Sequence, residues 1–160
     1  MLSKKHIIDL LENVKDPEIP VLSLIDLGVI TTIAIENNKV IIEMTPTFVG
    51  CPAIDVMKEN VEHVLKKNGI EQYDVIISFE KPWSSNLITE KGKEALKKFG
   101  LAPPPSHQNL IVDIDLISHV KCPYCDSDNT EMKSLFGPTL CRSLHYCNNC
   151  QQAFEQFKPI

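Results

Sequence analysis

Cys122-Pro-Tyr-Cys125 and Cys147-Asn-Asn-Cys150 are two Cys-x-x-Cys knuckles with 21 residues between them. Each knuckle can turn two thiolates toward one point, and two such turns supply the four sulfur ligands of a closed tetrahedral site. Zinc suits that geometry because it has no redox chemistry and no d-electron preference. Ferrous iron fits the same sulfur cage. Two disulfides, or four unrelated thiols, are the plainer alternatives, but paired spacings of this kind seldom arise by accident. A ribbon of about 40 residues buries too little apolar surface to stand without a metal or a similar staple. With all four positions filled by sulfur, the site is expected to hold structure rather than perform catalysis. Residues 121–160 therefore read as a zinc β-ribbon with Cys122, Cys125, Cys147 and Cys150 as its metal ligands.

Upstream of the ribbon, Ala102-Pro-Pro-Pro-Ser106 is stiff in the polyproline manner and marks a domain boundary, with 102–120 as a linker. Leu110 to Ile117 could form a strand on either side of it. Residues 1–101 carry alternating helix and strand signals. Ser3 can cap a helix whose apolar stripe is Ile7, Leu10, Leu11 and Val14, ended by Asp16-Pro17. A loop through Glu18, Pro20 and Gly28 follows. Val29 to Ile35 and Val40 to Met44 read as strands joined by Asn37-Asn38, a pair that tolerates the positive φ of a tight hairpin.

Ile54, Met57, Val61, Val64 and Leu65 mark a second amphipathic helix ending at Lys66-Lys67-Asn68-Gly69. Tyr73 to Phe79 is a third strand, with Val75, Ile77 and Phe79 on one face. Thr89 can cap a third helix whose apolar side is Ala95, Leu96 and Phe99, stopped by Gly100. The fold class is accordingly α+β. A small α/β sandwich, with helices on a small mixed sheet, precedes a C-terminal zinc β-ribbon.

The totals agree with that division. The chain has 160 residues, a formal net charge of −5, 43% hydrophobic residues and 6% aromatic, as expected of a folded domain with a small appendage. Its most apolar stretch, Val21 to Ile35, is broken by Asp26 and Gly28 and does not read as a membrane span. Met1-Leu-Ser-Lys-Lys-His runs directly into helical periodicity instead of an export signal. With six cysteines, that points to a reducing, cytoplasmic setting in which thiols bind metal or react. Within the ribbon, Lys121, Lys133, Arg142 and Lys158 balance Asp126, Asp128, Glu131 and Glu155, so the cation cluster that phosphate binding requires is missing. Nucleic acid is disfavoured as a partner.

Cys51 stands apart from the ribbon. Pro52 suits the first turn of a helix, which places Cys51 at or just before the N-cap, where free amides and the helix dipole favour a thiolate. Gly50 lets the backbone turn sharply, and Thr45 and Thr47 could lend hydroxyls. A free cysteine is as often a small buried hydrophobe. Asp16 and Glu18 form a carboxylate pair that, taken alone, reads as exposed turn residues. His6, His63, His107, His119 and His145 read as solvated surface, and Trp83 as a packing anchor at the end of the third strand. Cys141 reads as buried packing, with a ligand swap or redox role as the alternative.

Taken in order, Asp16-Pro-Glu-Ile-Pro20, Ile25-Asp-Leu-Gly28, Thr45-Pro-Thr47, Gly50-Cys51-Pro52 and Lys81-Pro-Trp83 resemble the small α/β domains of iron–sulfur assembly factors such as bacterial SufT. Phe136-Gly-Pro-Thr-Leu-Cys141 between two cysteine knuckles narrows this. The whole, from about residue 4 to Ile160, resembles the PaaD family, accessory proteins of the ring-1,2-phenylacetyl-CoA epoxidase system.

The resemblance implies a non-catalytic role in assembling iron–sulfur or iron centres for the oxygenase and reductase components, which would be the protein partners. It implies that Cys51 handles a transient iron–sulfur cluster, that Asp16 and Glu18 support it, and that the ribbon cysteines hold structural zinc. A structural or interaction subunit of the epoxidase complex is the alternative role. Asp126 departs from the glycine common at the end of the first knuckle, but aspartate tolerates left-handed backbone well. Edge strands of a small sheet can pair between protomers, and a homodimer would bring two Cys51 thiolates together.

Overall fold

The computed structural model describes residues 2–108 and 114–160. It divides into two compact units, Met1–Trp83 and Ser84–Ile160.

In the first unit, helix α1 (Lys4–Leu11) starts at Ser3, whose hydroxyl accepts the His6 amide at 3.2 Å. The helix stops one turn before Asp16-Pro17, and Val14 is buried beyond its end rather than on it. Strands β1 (Ile30–Glu36) and β2 (Lys39–Met44) pair antiparallel across Asn37-Asn38, with φ of 49° and 64°, the left-handed pair a two-residue hairpin requires. Helix α2 (Ile54–Lys67) then crosses over so that β3 (Tyr73–Ile77) runs parallel to β2, giving a mixed sheet in the order β1-β2-β3.

One face of this sheet carries Val40, Ile42 and Met44, all fully buried, and α2 sets Met57, Val61 and Leu65 into the same core. The long connection between α1 and β1 contributes as much. Leu22, Leu24 and Leu27 are buried, and the Leu24 amide donates to the Val14 carbonyl at 3.0 Å. Strand β3 ends at Ile77, short of the expected Phe79, which is 60% exposed. Trp83 anchors the unit as expected, its indole Nε1–H donating to the Leu27 carbonyl at 3.1 Å.

The second unit begins earlier than residue 121. Helix α3 (Glu90–Phe99), capped by the Thr89 hydroxyl and ended by Gly100 at φ +90°, leads into a two-residue strand β4 (Leu101–Ala102). β4 pairs parallel to β7 (Gln152–Phe157), beside β6 (Arg142–Cys147) and β5 (Thr130–Ser134), in a four-stranded sheet ordered β4-β7-β6-β5. The boundary expected after residue 101 therefore lies after Trp83 instead. The reason is that β4 completes the ribbon sheet, and Ala102 packs in one cluster with Val120, Cys122, Cys147 and Phe154.

Nor is the proline segment a free linker. The His107 amide donates to Asn86 Oδ1 at 3.1 Å, the His107 ring lies 3.0 Å from the Ile160 carbonyl, and the Ser85 amide donates to that carbonyl at 2.8 Å. The strand considered for Leu110 to Ile117 falls partly outside the described residues. Its described part lies in a short helix, α4 (Ile114–Ser118). Among the described residues, no helix is long and apolar enough to cross a membrane.

Candidate functional site

The two knuckles bring their sulfurs together. The Sγ atoms of Cys122, Cys125, Cys147 and Cys150 all lie within 4.8 Å of one another, with Cys122–Cys150 and Cys125–Cys147 each at 3.6 Å. A tetrahedral zinc–thiolate site with Zn–S near 2.3 Å places sulfurs about 3.8 Å apart, so the donor set fits zinc in number, softness and size. All four cysteines are free, so the disulfide alternative is not the arrangement formed.

Local backbone explains the convergence. Asp126 and Gln151 each follow the second cysteine of a knuckle and adopt φ of 59° and 58°, folding the chain back over its sulfurs. Cys122 and Cys147 are fully buried, while Cys125 and Cys150 are half-buried. Burial pushes the Cys122 thiol up, and burial with neighbouring thiols pushes Cys150 up to about 12. The Asn149 amide, 3.5 Å from the Cys125 sulfur, and a backbone N–H hold Cys125 down to about 6. Four thiols this close resist ionising together, and a divalent cation supplies the missing positive charge. Cys141 lies outside the cluster, buried and 3.1 Å from the Thr139 hydroxyl.

In the first unit, Cys51 is half-buried and lies two residues before Ala53, the α2 N-cap residue, closing a turn in which its amide donates to the Phe48 carbonyl at 3.2 Å. Pro52 thus precedes the helix instead of opening it. Gly50 has φ +82°, with no atom within 4 Å of where a Cβ would stand, and Val49 is 86% exposed, so the loop tip faces solvent. Thr45 is buried at the end of β2, its amide bonded to the Val29 carbonyl, and Thr47 is half-buried.

Asp16 is not an exposed turn residue. It is 6% exposed, and its Oδ1 accepts the amides of both Glu18 and Ile19 at 2.8 Å. Glu18 stays exposed. The histidines divide. His6, His63 and His119 are exposed and His107 is half-buried, but His145 is fully buried, stacked on Phe154 at 5.4 Å and 2.8 Å from the Ser143 hydroxyl. Burial lowers its pKa. The Asn149 contact was readable, since an amide inside a knuckle sits one residue from a ligand. The ion pair between Lys97 of α3 and Asp126 carries no local signal.

Residues 112–158 match the PaaD zinc beta ribbon domain, and residues 4–75 match an iron–sulfur cluster assembly protein family. Over 151 residues the chain is 33% identical to a putative 1,2-phenylacetyl-CoA epoxidase component of Escherichia coli, covering 94% of this chain and 90% of that one. The chain belongs to the PaaD family. PaaD-type architecture is thus an assembly-type α/β unit followed by a cysteine ribbon. The first part also resembles an Fe-S protein maturation auxiliary factor of Porphyromonas gingivalis, 31% identical over 100 residues, covering 61% of this chain and 91% of that one. Two solved structures share its fold. A domain of unknown function from Bacillus anthracis is 29% identical with a TM-score of 0.54, covering 58% of this chain and 90% of its own. A conserved hypothetical protein from Thermotoga maritima is 28% identical with a TM-score of 0.51, covering 62% and 96%.

Proposed function

We propose that this chain is a non-catalytic accessory factor that assists assembly of iron–sulfur or iron centres in the oxygenase and reductase components of a phenylacetyl-CoA epoxidase system. The observation that carries the reading is Cys51, on a solvent-facing loop whose tip is Val49-Gly50, in the unit that matches iron–sulfur assembly proteins. Its thiolate would take a cluster or an apo-target as cargo. One thiolate cannot complete a cluster's ligand set, so a second protomer, a partner protein or glutathione supplies the others. Thr45 and Thr47 lie in the segment that leads to Cys51, and the Asp16 carboxylate, which accepts the Glu18 amide, sets an acidic turn in the same unit. Zinc on Cys122, Cys125, Cys147 and Cys150 would hold the ribbon rigid, and the cytoplasm would supply the reducing setting.

The test compares wild type with Cys51→Ser, both purified without oxygen. Both are expected to keep about one zinc per chain. Wild type is also expected to carry a brown chromophore that the variant lacks, and the variant to leave co-expressed epoxidase immature. A Cys51→Ser variant that matures the epoxidase normally would sink the thiol's role and leave an interaction subunit of the complex.

A further inference from the structure

Asn68-Gly69 is the one Asn-Gly pair in the sequence, and it stands at the end of α2. The fold requires glycine there. Gly69 has φ +75°, its amide donates to the Lys66 carbonyl at 3.0 Å, and the Ile70 amide donates to the Leu65 carbonyl at 3.0 Å. Those two bonds, with Ile70 buried beyond them, close the helix in a left-handed turn that glycine adopts without strain. The same glycine leaves its own nitrogen unshielded by any side chain. Both Asn68 and Gly69 are exposed to water.

An asparagine followed by glycine is chemically labile. The Gly69 nitrogen can bond to Asn68 Cγ as the Cγ–Nδ2 bond breaks. The Gly69 amide proton passes to the leaving nitrogen, ammonia departs, and water opens the five-membered imide to aspartate or isoaspartate. The closed end of α2 opposes this in three ways. The Gly69 N–H is held by the Lys66 carbonyl. Asn68 Nδ2 donates to the Val64 carbonyl at 2.8 Å, which draws the side chain back along the helix. Asn68 has ψ 17°, turning the Gly69 nitrogen away from the side chain, whereas ring closure needs that nitrogen nearly eclipsed with Cβ. All three are released together when the last turn opens, and helix ends open more readily than cores. The product then works against closure. A carboxylate has no N–H for the Val64 carbonyl, and it faces the negative end of the helix dipole.

We propose that Asn68-Gly69 is a deamidation site gated by the C-terminal cap of α2. The closed cap suppresses the reaction, opening of the last turn permits it, and the carboxylate formed weakens the cap that held it. The site depends neither on Cys51 nor on the ribbon cysteines.

The test incubates the full-length protein and a synthetic peptide of residues 64–72 in the same mildly alkaline buffer. Conversion of Asn68 is read by mass spectrometry and isoaspartate content. The folded protein is expected to convert at least about tenfold more slowly than the peptide, and unfolding it in urea to restore the peptide rate. Ile70→Ala loosens the cap and is expected to speed Asn68 conversion and Gly69 amide hydrogen exchange alike, by about threefold or more, while core amides stay protected. Asn68→Asp reproduces the product at an exposed position and is expected to speed Gly69 exchange about threefold. Conversion of the folded protein at the peptide rate, or slow conversion that persists in urea, overturns the gate. So does an Ile70→Ala protein that exchanges Gly69 faster yet converts Asn68 at the wild-type rate. Unchanged Gly69 exchange in Asn68→Asp overturns the weakening of the cap by its product.

Discussion

Asp16 shows how one side chain can be misjudged from its neighbours. Beside Pro17 and Glu18 it looks like an exposed turn acid, yet its Oδ1 gathers two amides at 2.8 Å while the residue is 6% exposed. Hydrogen bonds to a charged acceptor stabilise by about 1.5–3 kcal/mol, so Asp16→Ala is expected to lower the stability of the first unit by about 2 kcal/mol in urea titration. Asp16→Asn keeps an oxygen acceptor and should recover most of that. If Asp16→Ala instead folds with full stability but fails to mature the epoxidase, the carboxylate acts on the cargo directly. Asp126 is the converse case. Its φ of 59° was legible from the sequence, because the turn after a second knuckle cysteine needs left-handed backbone and aspartate accepts it. Its ion pair with Lys97 was not, because the two residues are distant in the chain.

At the scale of elements, capping and hairpin chemistry proved readable and helix allegiance did not. Ser3, Thr89 and Asn37-Asn38 act within a few residues of themselves, so their roles need no knowledge of the rest of the fold. Helix α3 announces an apolar side through Leu96, but an amphipathic stripe does not say which core receives it. The answer came from β4, whose Leu101 and Ala102 pair with Glu155 and Gln156. Gly100 is the joint between them. A Cβ there would stand 2.8 Å from the Tyr124 hydroxyl, at a φ of +90° that L side chains avoid. Gly100→Ala is expected to cost the second unit about 1–2 kcal/mol from backbone strain and to swing the flexible Tyr124 ring outward. A thermal melt of the ribbon signals checks the first part, and a changed Tyr124 environment in its amide and ring shifts checks the second.

For the whole molecule, the two units rest on different physics. The first holds a conventional apolar core of Ile7, Leu11, Leu22, Leu24, Leu27, Ile42, Met44 and Leu65. The second has four of its five cysteines, Cys122, Cys125, Cys147 and Cys150, in and around the cluster that holds Ala102, Val120 and Phe154, so a bound metal and the core would be one structure. Structural zinc contributes on the order of 10 kcal/mol of folding free energy in small modules. Chelation is therefore expected to collapse the spectrum of Ser84–Ile160, including α3, while signals of Met1–Trp83 persist. If α3 signals survived chelation, the helix would not belong to the metal-built unit.

Knuckle spacing, caps, turn residues and periodicity are written within a few positions of one another, so the four-cysteine cluster, the mixed sheet and the family could be read from the chain before it folded. The boundary at Trp83 and the burial of His145 emerged only in the folded molecule. Each depends on which distant strand lies alongside. Side-chain chemistry sets how strongly a segment seeks a partner, and the pairing of β4 with β7 settles which partner it has.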